Sequence, residues 1–146
     1  LGERIVVLHE NNRLRSIGHS QECNHVAKVD CGAGYDVESY SGRKSNTTNR
    51  FLEVKSTSGF RSTMSIFISR NEFETAVELG RLYSLVLVLI GENSARIIEI
   101  PSPIERLGLQ DLSWRPGSDL KFENLNIHID LNTLRDNEVE IDIQVN

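Results

Sequence analysis

Three side chains stand where their types and spacing could do chemistry together: Asp36, Glu53 and Lys55, in the pattern D-x16-E-x-K. Glu53 and Lys55 are two apart, so on an extended strand both project from one face. If the chain around Asp36 forms the neighbouring strand, its carboxylate stands beside Glu53 across the ladder. Two carboxylates that close repel one another, and a divalent cation relieves the repulsion. With a main-chain carbonyl and waters they offer the all-oxygen set that suits Mg²⁺, a hard octahedral ion that keeps several waters, or Mn²⁺. Such an ion acidifies a water and stabilises charge on a scissile phosphate. Lys55 beside it could orient or deprotonate that water, or offset developing negative charge. An E-x-K on a strand is more often a solvated ion pair, so the surrounding elements must decide.

Residues 3–17 carry Ile5, Val6, Leu8, Leu14 and Ile17 close to a helical stripe, with Gly18 as a stop. The pattern over His25–Asp30 predicts a strand, Gly32-Ala33-Gly34 a turn, and Tyr35–Tyr40 a second strand with Asp36, Glu38 and Tyr40 on one face. Residues 41–49 lack apolar side chains and read as a hairpin loop before a strand over Arg50–Lys55. A flexible stretch over 56–63 leads to a short strand, Met64–Ile68. Ser69 and Glu72 then form a capping box for a helix to about Leu79, with Phe73, Ala76 and Val77 inward. Tyr83–Ile90 is the pattern of a strand covered on both faces, and Ala95–Ile100 is expected to pair with it. Beyond Pro103 the expectations are a short helix over 104–112, Trp114 against the core, and strands over Leu125–Leu131 and Val139–Val145. The fold class is α/β: one domain over residues 1–146, with a mixed central sheet and a β-rich C-terminal extension.

Helix, three strands, helix and strand, with Asp36 on the second strand and Glu53-x-Lys55 on the third, resembles the PD-(D/E)xK nuclease superfamily and its restriction-endonuclease-like αβββαβ core. More narrowly, Gly2-Glu3-x-x-Val6-x-x-x-Glu10, Gly34-Tyr35-Asp36-Val37-Glu38-Ser39, Phe51-Leu52-Glu53-Val54-Lys55-Ser56, Ser69-x-Asn71-Glu72 and Tyr83-x-Leu85 look like one known domain. It is the nuclease-related domain at the C-terminus of the plant protein NO VEIN, similar to domains of bacterial multidomain proteins beside ATPase, helicase or defence-associated modules. The resemblance covers about residues 2–103. It implies a metal-dependent DNA endonuclease domain that hydrolyses phosphodiester bonds, the cleavage module of a restriction-modification or defence protein. It further implies that Asp36 and Glu53 ligate Mg²⁺ (or Mn²⁺), that Lys55 is catalytic, and that Glu3 on the first helix supports the site, with Glu10 the second choice. The alternative is a catalytically silent nuclease fold that binds nucleic acid or a protein partner. Tyr35 stands where the superfamily has proline. Glu38 is expected at a strand end near solvent, Glu72 in the cap, and Arg61 in a surface loop within reach of a phosphate.

A net charge of −5 argues against coating nucleic acid by charge alone. The charge is uneven: Arg43, Lys44, Arg50, Lys55, Arg61, Arg70 and Arg81 face only Glu53, Glu72, Glu74 and Glu78 in the middle of the chain, while residues 118–146 are strongly acidic. DNA is the expected partner, with an ATPase, helicase or DNA-reader domain of a parent protein from which this chain is excised; a homodimer stays open. The apolar run Leu85–Ile90 is far shorter than the roughly 20 residues of a membrane span. The two cysteines, Cys23 and Cys31, form no framework and point to a cytoplasmic setting. With His19 and His25 they supply zinc ligand types without the tight pair a zinc site uses, so buried thiols and loop histidines are expected.

Overall fold

The computed structural model describes residues 1–30, 32–110 and 124–142. The first helix, α1 (Gly2–Ser16), is followed by two short strands, β1 (Asn24–His25) and β2 (Val37–Ser39), and a long one, β3 (Arg50–Ser58). Next come β4 (Thr63–Ser69), α2 (Arg70–Leu79), β5 (Tyr83–Ile90), β6 (Ser94–Pro101) and the single turn α3 (Pro103–Arg106). After the break lie β7 (Asn124–Asp130), a 3-10 segment (Leu131–Asn137) and β8 (Glu138–Asp142). Six strands form a mixed sheet in the order β1-β2-β3-β5-β6-β8, in which only β3 and β5 run parallel. The fold is therefore α/β with a mixed central sheet, and β7 and β8 are its C-terminal strands.

Alternation along β3 and β5 sorts the sheet's two faces. Leu52, Val86 and Val88 pack with Ile5 and Val6 of α1, Val37, Ala95 and Ile97. On the other face Leu85, Leu87, Leu89, Ile98 and Ile100 meet Phe73 of α2 and Met64, Ile66, Ile68 and Ile129. Those last four belong to a separate antiparallel ladder, β4–β7, that lies over this face. Glu53 and Lys55 alternate with Leu52 and Val54, so they point toward the α2 side.

Several elements differ from expectation. The strand foreseen over His25–Asp30 ends at His25, because the N–H groups of Val26 and Ala27 both turn onto the Asp36 carbonyl, at 2.8 and 3.2 Å, and start a 3-10 turn. The second strand shrinks to Val37–Ser39, with Asp36 just before it. Half of the 56–63 stretch is strand: β3 stays paired with β5 through Ser58 opposite Ile90, leaving Gly59–Ser62 as the connection. Val77 is 50% exposed, since it and Ala76 lie on opposite sides of Phe73 and the core takes Ala76. Leu8 likewise faces outward from α1. Helix α3 stops at Arg106. The expected C-terminal strands form, β7 on β4 and β8 on β6. Cys31, Trp114 and residues 143–146 lie outside the described residues.

Candidate active site

The site forms where β2 gives way to the loop before it. In the β2–β3 ladder Val37 lies opposite Leu52, which brings Asp36 level with Glu53. Asp36 then departs from the ladder: its N–H donates to the Leu52 carbonyl at 2.8 Å, and its Oδ2 accepts the Val54 N–H at 2.8 Å. The side chain thus replaces the strand partner that Val54 would otherwise lack, and its carboxylate is fixed beside Glu53. Burial, with the carboxylates of Glu3 and Glu72, raises the Asp36 pKa against the pull of the Val54 N–H and Lys55.

Glu53 is 6% exposed. Burial, then Asp36 and Glu72, push its carboxyl up to about 8, although the Lys55 Nζ lies only 2.9 Å from its Oε1. Lys55 Nζ also reaches Glu72 Oε2 at 2.9 Å. Burial alone would draw the ammonium down, yet Glu53 and Glu72 outweigh it and the Lys55 pKa is raised. Behind them Tyr83, buried and raised first by burial and then by the same three carboxylates, donates its hydroxyl to the Gly34 carbonyl at 3.0 Å. The structure thus brings Asp36, Glu53 and Lys55 together and adds Glu72.

The remaining sequence candidates fall in distinct places. Glu3 stands at the rim, its Oε2 2.5 Å from His25 Nε2, and its charge is felt by Asp36. Glu10 is 1% exposed and lies in a separate buried network: Arg13 and Arg50 both donate to it, Arg50 also donates to Glu99, and Ser84 donates to Glu99. Burial would raise Glu10, but the two guanidiniums lower it. Glu38 accepts from Tyr35 and Thr48. Arg61 donates to the Ser58 carbonyl and lines a cleft of about 720 Å³ with Phe60, Arg96 and Arg135, at the far end of the sheet from Asp36. Of the zinc ligand types, His19 accepts the Gln21 N–H at Nδ1, donates from Nε2 to the Ser45 carbonyl and stacks on Tyr40, whereas Cys23 lies under α1 against the Val7 carbonyl. His25 is held by Glu3.

Sequence reasoning gave Glu72 to the cap alone and missed its bond to Lys55, along with the roles of Asn71 and Tyr83. The available signal was Ser69-x-Asn71-Glu72 directly after β4, a motif carrying one more polar residue than a capping box needs.

No curated protein and no solved structure matches the chain. A family model described as protein NO VEIN, C-terminal, matches residues 2–100, from the start of α1 to the end of β6, with every residue of the carboxylate–lysine cluster inside the match. The chain belongs to the family of the NO VEIN C-terminal region.

Proposed function

We propose that this chain is a PD-(D/E)xK-type, metal-dependent DNA endonuclease domain that hydrolyses phosphodiester bonds as the cleavage module of a restriction or defence protein. The observation that carries the reading is the convergence of Asp36, at the mouth of β2, with Glu53 and Lys55 of β3. Its frame supports it: three antiparallel strands follow α1, and β5 returns parallel to β3 after α2, as in a restriction-endonuclease-like core. The donor set suits Mg²⁺ or Mn²⁺, since two adjacent carboxylates, both raised first by burial and Glu53 further by the charge of Asp36, are hard oxygen ligands that a divalent cation would ionise together. Asp36 and Glu53 would hold the ion, whose Lewis acidity would act on the scissile phosphate and the attacking water. Asp36 is pre-oriented by the Val54 N–H. Lys55 would hold the water or balance charge developing on the phosphate. DNA is the substrate in this reading, with ATPase, helicase or reader domains of a parent protein as partners. No described helix is long and apolar enough to cross a membrane.

The test is incubation of the chain with supercoiled plasmid and Mg²⁺ or Mn²⁺. Nicking that stops with a chelator, and falls by orders of magnitude in folded Asp36→Ala, Glu53→Ala and Lys55→Ala variants, is the expected outcome. Equal nicking by all three variants would assign the cluster to structure. DNA binding without cleavage would make the chain a silent nuclease fold.

A further inference from the structure

We infer that Asn71 and Glu72, in the first turn of α2, form a positioning bracket for both halves of the site: Asn71 holds the loop that carries Asp36, and Glu72 holds Lys55. The inference rests on the endonuclease reading for its consequence, but its geometry stands apart from it.

Glu72 exceeds its capping role. A capping box needs the third helical carboxylate only to accept the cap residue's N–H, and Glu72 Oε2 does so from Ser69 at 3.0 Å. The same oxygen takes the Lys55 ammonium at 2.9 Å, with both side chains only about one-fifth exposed. Lys55 is thereby shared between Glu72 and Glu53, at 2.9 Å from each. Without Glu72, Glu53 would be its remaining ion-pair partner among the described residues, and the ammonium would settle on a carboxylate the metal must take. Lys55 would also face the positive end of α2 uncompensated.

Asn71 works one residue earlier. Its Nδ2 donates to the Gly32 carbonyl at 2.8 Å, and Tyr83 fastens the next carbonyl but one, that of Gly34. Gly34 has φ +81°, and a Cβ there would lie 2.3 Å from Thr75 Oγ1 and 3.2 Å from the Asn71 carbonyl. The loop is thus pressed onto the first turns of α2 two residues before Asp36. One helical turn sets the distance between the carboxylate of one strand and the lysine of the next.

Three variants separate this from helix capping. Ser69→Ala removes the cap but leaves Lys55 its partner, and a fall in Tm of about 2–6 °C is expected with kcat nearly unchanged. Glu72→Gln keeps a residue that serves in capping boxes while removing the charge, so Tm should hold and kcat should fall about 10–100-fold at unchanged KM for DNA. Asn71→Ala should raise the Mg²⁺ concentration for half-maximal cleavage about tenfold, and an unchanged requirement overturns the Asn71 half of the bracket. The ¹⁵N signal of the Lys55 ammonium, sharp when the group is held, should survive Ser69→Ala and broaden in Glu72→Gln. Wild-type kcat in Glu72→Gln, or equal losses in Ser69→Ala and Glu72→Gln, overturns the bracket. If the wild-type chain cleaves nothing, the endonuclease reading fails, and the bracket is judged on the Lys55 signal, where no change in Glu72→Gln overturns it.

Discussion

Glu53 carries the heaviest electrostatic load in the site, and its cost has a pH signature. Its folded pKa, about 8, lies above the unfolded value near 4.5. Between those limits the unfolded chain has lost the proton and the folded chain retains it, so stability falls as pH rises through the window. Without divalent cation, urea denaturation should show the wild type losing stability from pH 5.5 to 8, with Glu53→Gln flattening the slope and stabilising most at pH 8. A wild-type slope retained in Glu53→Gln would place the load elsewhere. Glu10 and Glu99 are lowered despite burial, so their contribution is lost only as pH falls below the usual carboxylate range. Their shared partner gives a second prediction. Arg50→Ala leaves Glu10, 1% exposed, with Arg13 alone, and should cost about 3–5 kcal/mol in chemical denaturation; a loss below about 1 kcal/mol would mean that water replaces the guanidinium. At this scale the D-x16-E-x-K cluster was legible, because alternation and a hairpin are local rules. Glu72 on Lys55 and Arg50 on Glu10 were not. Both join residues distant in sequence, and no periodicity encodes which helix turn lands over which strand position.

Among the elements, the long and strongly patterned ones were legible and the short irregular ones were not. Tyr83–Ile90 is buried on both faces as its continuous apolar run requires, and the Ser69 box begins α2 as its residues predict. The segment from His25 to Asp30 defeated the alternation because the N–H groups of Val26 and Ala27 converge on the Asp36 carbonyl instead of a ladder. The division of β4 and β7 from the central sheet could not be read either, since a half-buried strand has the same pattern on any partner. The close approach to α2 of the loop that carries Asp36 can be measured by comparing two glycines. Gly34 and Gly59 both have positive φ, +81° and +78°, but a Cβ on Gly59 would meet nothing within 4 Å. Gly59→Ala should therefore cost only the backbone strain, about 1–2 kcal/mol, and Gly34→Ala more, with a higher metal concentration needed for any cleavage. Equal costs in urea denaturation would show that Thr75 yields freely and that the loop is not wedged against α2.

For the whole molecule, the deciding quantity is how much positive charge is left to meet a polyanion. Counted along the sequence, residues 43–81 look basic. In the fold, Arg50 is consumed by Glu10 and Glu99, Lys55 by Glu53 and Glu72, and Arg70 by Glu74. Within that segment Arg43, Lys44, Arg61 and Arg81 remain outside the ion pairs, against a net charge of −5 for the chain. Ion pairing is a tertiary property, so the sequence count overstated the available surface. About four phosphate contacts from this segment correspond to a log–log salt slope of about −4, which leaves little affinity near physiological ionic strength. The chain alone should therefore bind duplex DNA weakly, with a Kd above about 1 µM at roughly 0.15 M salt, and with little preference among sequences. If it acts on DNA as proposed, a tether to a reader or motor domain would supply by effective concentration what this surface lacks. A fluorescence titration of duplex DNA at several salt concentrations, with and without Mg²⁺, measures both the affinity and the slope. Sub-micromolar, sequence-selective binding by this chain alone would show that recognition resides within it and that the missing contacts come from a surface other than the basic middle segment.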